Sequence, residues 1–291
     1  MMTNEQALQK MKADIQLRGL ATSTLNTYQS YTKTFLDYCN QPIEELNELE
    51  VRKFLEYLTV EKQLAPRTVN LYSGAIRFFF AVTLNRTMNY LQIPRQKIPM
   101  TIPDILSKDE VSLIINRCPN IKHQAFLLLL YGSGLRASET VNLHTIDIDS
   151  RSGRVIVRKG KGKKDRYTVL SENTLFTLRK YWRSYRPNSP EDYLFPGQKN
   201  VGHITKSAVT HALNEALART NIKKNITPHT LRRSFAVHLL EDGFDLFQVK
   251  ELLGHASIRS TVLYLRSANT PSKVKSPADS ITIKFGGRTN E

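Results

Sequence analysis

The chain has 291 residues, 40% hydrophobic and 23% charged, which is enough for two domains with cores of their own and excludes a disordered polyelectrolyte. Lys and Arg number 42 against 26 Asp and Glu, a net charge of +16, so the expected partner is a polyanion, nucleic acid before membrane. Two isolated cysteines, Cys39 and Cys118, exclude a disulfide framework and a cysteine-based zinc site and fit a reducing cytosol.

The chain starts Met-Met-Thr-Asn-Glu-Gln, with no signal-peptide pattern. Its longest apolar run, Ala125 to Tyr131, is too short to span a bilayer, so the expectation is a cytoplasmic protein with no membrane partner. Residues 1–90 read as a helical domain. Thr22, Ser23 and Thr24 offer caps before Leu25, Tyr28, Tyr31 and Phe35, which recur at helical spacing. After Pro42, a second apolar face follows at Val51, Phe54, Leu55 and Leu58. Pro66 suits a first helical turn ahead of Val69, Tyr72, Ile76 and Phe79. Stripes at this spacing are core, with Lys53, Arg67 and Arg77 as basic surface.

Pro94, Pro99 and Pro103 forbid a continuous helix over 91–104 and predict an extended basic linker. Residues 105–270 form the second domain. Ser107-Lys-Asp-Glu110 is a capping box ahead of Val111, Ile114 and Ile115, and a second apolar helix stops at Gly132. From Thr145 the period switches to strands: Ile146/Ile148, then Val155 to Val157, then Tyr167/Val169. Turns are expected at Asp149 to Gly153 and Gly160 to Gly162. Helices follow near 171–186 and 205–219, and Thr227-Pro228 starts another that ends near Gly243. Residues 271–291 are a mostly polar tail with a short alternating stretch, Ile281 to Phe285. The predicted fold class is mainly α with a small antiparallel β-sheet.

Charge is not spread evenly: residues 151–166 hold eight Lys or Arg and one acid, Asp165. Six residues of the second domain suit phosphodiester chemistry. His229 and Arg232 lie three apart at a helix start, where free amides and the helix dipole favour an anion. Arg136 follows Gly132-Ser-Gly134 and offers planar donors to two phosphate oxygens, with Glu139 placed either to orient it or simply as a helix-face acid. Lys161 sits between glycines at a hairpin tip, where a mobile ammonium could give a proton to a leaving oxygen, as could its neighbours Lys159, Lys163 and Lys164. His255 follows a helix-ending glycine. Tyr264, nine residues on, reads by itself as a core tyrosine. No Gly-x-Ser-x-Gly elbow, Cys/His pairing, metal motif or Walker loop offers a rival centre, and no cofactor is expected.

The order of these stretches carries more than any one of them. Gly-Leu-Arg-Ala-Ser-Glu (134–139), Gly-Lys-Gly-Lys-Lys-Asp-Arg (160–166), His-Thr-Leu-Arg-Arg-Ser-Phe-Ala (229–236), Leu-Gly-His (253–255) and Tyr264 together resemble the tyrosine recombinase (phage integrase) family, in particular its Xer-like and integron- or transposon-type members. The resemblance spans roughly residues 10–270 and departs at Arg233, where many relatives have histidine. It implies an N-terminal helical SAM-like core-binding domain that clamps DNA and an α+β catalytic domain. It also implies a site-specific recombinase acting on double-stranded DNA recombination sites as a tetramer on two duplexes, with residues 271–291 docking on a neighbouring subunit. On this pattern Arg136 and Arg232 hold the scissile phosphate, and His229 takes the proton of Tyr264, the nucleophile. His255 bonds the phosphate, and Lys161, chosen over its neighbours on the family pattern, protonates the departing 5′-oxygen. The alternatives are a type IB topoisomerase-like enzyme or a DNA-binding relative that no longer cuts.

Overall fold

Local signals in the first ninety residues become α1 (Asn4–Leu17), α2 (Thr22–Cys39), α3 (Glu48–Val60) and α4 (Pro66–Phe78). Thr3 and Gln6 close a capping box on α1, and Asn47 caps α3. Pro66 begins α4 as its ring geometry favours. On α2 the N-cap is Ala21, with no side-chain bond, so the three hydroxyls at 22–24 fall inside the first turn instead. Phe35, Phe54, Phe79, Phe80, Met11 and Ile15 are fully buried between these helices. Phe35 meets Phe54 edge-on at 5.4 Å. Burial of each such side chain contributes about 2 kcal/mol.

The computed structural model describes residues 2–89, 91, 93–99, 104–158, 165–185, 192–197, 202–255, 257–258, 261–262 and 264. The chain divides into two compact units, Met1–Thr101 and Ile102–Glu291. Among the described residues no helix is long and apolar enough to cross a membrane.

The second unit is built around α6 (Ile121–Gly132), which packs against α5 (Lys108–Arg117), α7 (Ala137–Val141), α8 (Glu172–Tyr185), α9 (Lys206–Leu217) and α10 (Pro228–Glu241). Its Ala125, Phe126, Leu127, Leu129 and Leu130 are all buried, as a helix apolar on every side must be. The capping box at Ser107 and Glu110 starts α5 as expected. Among the described residues an antiparallel sheet of three short strands, β1 (Ile148–Asp149), β2 (Arg154–Val157) and β3 (Arg166–Val169), lies in sequence order. Val157 pairs with Arg166 in register, so residues 158–165 join β2 to β3. The expected strand at Ile146 is instead a 3-10 turn, Thr145–Asp147. Asp147 bends back to accept the His144 amide at 2.9 Å, which closes the turn and leaves Ile146 exposed. The expected turn at 160–162 and the tail at 271–291 lie outside the described residues.

Candidate active site

Leu135-Arg136 leads into α7, with Arg136 extended at the N-cap. Gly134 turns the chain there with φ +60°, and a β-carbon on it would collide with the Phe235 ring. Only glycine meets both demands. The Arg136 amide donates to Glu139 Oε2 at 2.8 Å and its Nη1 to Oε1 at 2.5 Å. Glu139 is therefore no helix-face acid. Its side chain is 8% exposed and also receives both arms of Arg166, at 2.9 and 2.8 Å, and Arg232 at 3.4 Å.

Thr227 caps α10 and Pro228 opens it, which puts His229 in the first turn and Arg232 in the second. His229 keeps an exposed edge, whereas Arg232 is 0% exposed. The Arg232 guanidinium donates to Gly134 O at 2.7 Å and Leu253 O at 2.6 Å, while its Nε has no partner among the described residues. A buried donor without an acceptor is costly, about 1–3 kcal/mol, and suits a group that waits for an anion.

The third wall is the end of α11 (Leu246–Leu253), closed by Gly254 at φ +62°. Helix ends leave carbonyls without partners and carry partial negative charge. Here three arginines supply the missing donors. Arg166 Nε reaches Leu252 O at 3.1 Å, Arg232 reaches Leu253 O, and Arg136 Nη2 reaches Gly254 O at 3.4 Å. His255 follows, its Nδ1 2.9 Å from the buried Thr261 hydroxyl. Its ring lies 5.9 Å, centre to centre, from that of Tyr264. Tyr264 is 5% exposed and packs with Phe235, Val249 and Leu253.

Three guanidiniums face one carboxylate, so positive charge is left over. Burial alone would raise the Glu139 pKa, but the Arg166 hydrogen bonds and charge, with those of Arg136, outweigh it and lower the value to about 2. Burial, then Arg136, lowers that of Arg232 to about 9, which still leaves it charged at neutral pH. Burial first, then Arg232, Arg136, His229 and Arg166, pushes His255 down to about 3. His229 falls for the same reasons, burial before the charges of Arg233, Arg232 and Arg136. Both histidines are neutral at physiological pH, each with a lone pair able to accept a proton or hydrogen bond.

The structure thus gathers Arg136, His229, Arg232, His255 and Tyr264 around the start of α10 and the end of α11. Lys161 lies outside the described residues. Sequence reading assigned no role to Arg166 or Thr261, and left Glu139 undecided. For Arg166 the signal was present at the end of Gly-Lys-Gly-Lys-Lys-Asp-Arg.

The phage integrase family model matches residues 104–270, and a phage integrase N-terminal SAM-like domain matches 7–90. The Sinorhizobium fredii protein y4qK is 41% identical over 89% of this chain and 84% of its own length. Tyrosine recombinase XerA of Pyrococcus horikoshii is 33% identical over 90% of each. The fold matches that of the Tn1549 transposon integrase, solved in complex with transposon right end DNA. That match has a TM-score of 0.72 and 16% identity, and covers 89% of this chain and 94% of that one. The chain belongs to the phage integrase family, the tyrosine recombinases that cleave and rejoin DNA in site-specific recombination.

Proposed function

We propose that the second unit cleaves double-stranded DNA at a recombination site, with Tyr264 as nucleophile. The observation that carries the reading is the cluster of three arginines on buried Glu139, in positive excess, gathered with two neutral histidines beside that tyrosine. Arg136 and Arg232 hold the non-bridging oxygens of the scissile phosphate and offset the charge that builds in the transition state. Tyr264 Oη attacks phosphorus, forming a P–O bond to the tyrosine and breaking the bond to the 5′-oxygen. The phenolic proton passes to neutral His229, and Lys161 protonates the departing 5′-oxygen. His255, held through Thr261, hydrogen-bonds the phosphate. The 3′-phosphotyrosyl bond conserves the energy of the broken one, and attack by a 5′-hydroxyl reseals the strand without a nucleotide cofactor.

Arg232 and Tyr264 are enclosed in this conformation, so DNA binding has to open the site, which keeps the nucleophile covered in its absence. Within this reading residues 1–90 bind the DNA core, 91–104 link, 105–270 cut, and 271–291 dock on a neighbour in a tetramer on two duplexes in the cytoplasm. The test is covalent trapping on labelled, nicked duplexes from the surrounding genome, run on a denaturing gel. A protease-sensitive adduct with the wild type and none with Tyr264→Phe is expected. An adduct retained by Tyr264→Phe would remove this tyrosine from the mechanism.

A further inference from the structure

We infer that Arg166 is a positioning residue of the cleavage reaction, one that holds Arg136 and His255 in place for the phosphate without touching it. The inference rests on the site reading above. Arg166 opens β3, and its side chain is 11% exposed. Nη1 and Nη2 grip Glu139 as a fork at 2.9 and 2.8 Å, and Nε donates to Leu252 O at 3.1 Å. The other face of Glu139 holds Arg136, through both its amide and its guanidinium. The stem of Arg166 also underlies Gly254: a β-carbon there would lie 2.7 Å from Arg166 Cδ and 2.9 Å from Nε. Arg166 therefore fixes, from one position, the carboxylate behind Arg136 and the corner that presents His255.

Arg232 is used differently. Its closest contacts run to Gly134 O and Leu253 O, with Glu139 reached only at 3.4 Å, and among the described residues its Nε is left without a partner. Arg166 turns its fork inward to Glu139 and its Nε to the end of α11. Planar bidentate geometry of this kind is what lysine cannot supply. Without Arg166, Glu139 loses its fork and Gly254 its floor, and Arg136 is free to swing out of line. A misplacement on the order of 1 Å costs roughly a hundredfold in rate.

Two modified duplexes, made on the sequence that yields adduct with wild type, separate this role from others. A methylphosphonate at the scissile position removes the negative charge and so relaxes the demand on the arginine pair. A 5′-bridging sulfur leaves without protonation and so relaxes the demand on Lys161. Arg166→Ala should lose roughly a hundredfold in adduct formation on ordinary DNA. The loss should narrow on the methylphosphonate, as for Arg136→Ala, and persist on the bridging-sulfur duplex, where Lys161→Ala recovers. Arg166→Lys, which keeps the charge and protects against failure to fold, should recover less than half of the loss on a logarithmic scale. Activity of Arg166→Ala within about threefold of wild type would overturn the inference. So would recovery on the bridging-sulfur duplex, or an equal deficit on both substrates. If the wild type gives no adduct, or Tyr264→Phe gives one, the site reading itself fails; otherwise only the role of Arg166 is at stake.

Discussion

Replacing Glu139 with Gln keeps the size of the side chain and one acceptor oxygen for the arginines, and removes the charge together with the second acceptor. In the folded protein the carboxyl pKa drops from 4.5 to about 2, which corresponds to ~3 kcal/mol at neutral pH for this nearly enclosed group. Because the folded value lies below the unfolded one, this stability is complete above pH 4.5 and is lost as the pH falls through about 2. At pH 3 roughly 1 kcal/mol of it remains. The single tryptophan, Trp182 on α8, lies in the second unit, so its fluorescence reports urea unfolding of the unit that contains Glu139. Glu139→Gln should be less stable than wild type by ~3 kcal/mol at pH 7, and by about 1 kcal/mol at pH 3. A variant as stable as wild type at pH 7, or a gap that does not narrow on acidification, refutes the view that Glu139 neutralises the arginine cluster.

Arg232→Lys should cut adduct formation by about two to three orders of magnitude, because one ammonium cannot serve Gly134 O, Leu253 O and a phosphate together; an unchanged rate on the trapping gel would refute this. Gly254→Ala combines a positive φ with a contact 2.7 Å from Arg166 Cδ, whereas Gly243→Ala, at φ +92° with nothing within 4 Å, carries strain alone. Strain should cost about 1–2 kcal/mol at Gly243, and the urea midpoint of Gly254→Ala should fall further. His255 should stay neutral from pH 8 down to pH 5 and titrate near pH 3, as read by nitrogen chemical shifts of the ring. Since its folded value lies below the ordinary 6.5, the folded state loses stability as the pH falls from 6.5 towards about 3. The acid limb of a cleavage rate profile above pH 5 should therefore survive His255→Gln.

Element starts were legible wherever one residue's own chemistry decides them. Pro66, Ser107 with Glu110, and Thr227-Pro228 each begin the helix that the sequence predicts. At Thr22 to Thr24 three equivalent hydroxyls gave no basis for choosing a start, and Ala21 took the cap. Ile146 looked like a strand residue because alternation ignores Asp147, whose side chain folds back onto the His144 amide. The site was legible as types and order. Glu139 could not be told from a surface acid, because its partner Arg166 is 27 residues away and Arg232 is 93 away. Which of those two arginines meets the phosphate and which meets the carboxylate depends on the direction of each guanidinium, and local pattern carries no information about direction.

The arginines here answer to the main chain. Carbonyls at 134, 252, 253 and 254 accept from Arg232, Arg166 and Arg136, and no side-chain substitution deletes a carbonyl. Substitution at a position that touches neither Glu139 nor these arginines therefore leaves the carbonyl acceptors in place. The same arrangement makes two residues without side chains, Gly134 and Gly254, as sensitive to substitution as Glu139 and Arg166, because their positive backbone angles set the corners from which the carbonyls of 134 and 254 point.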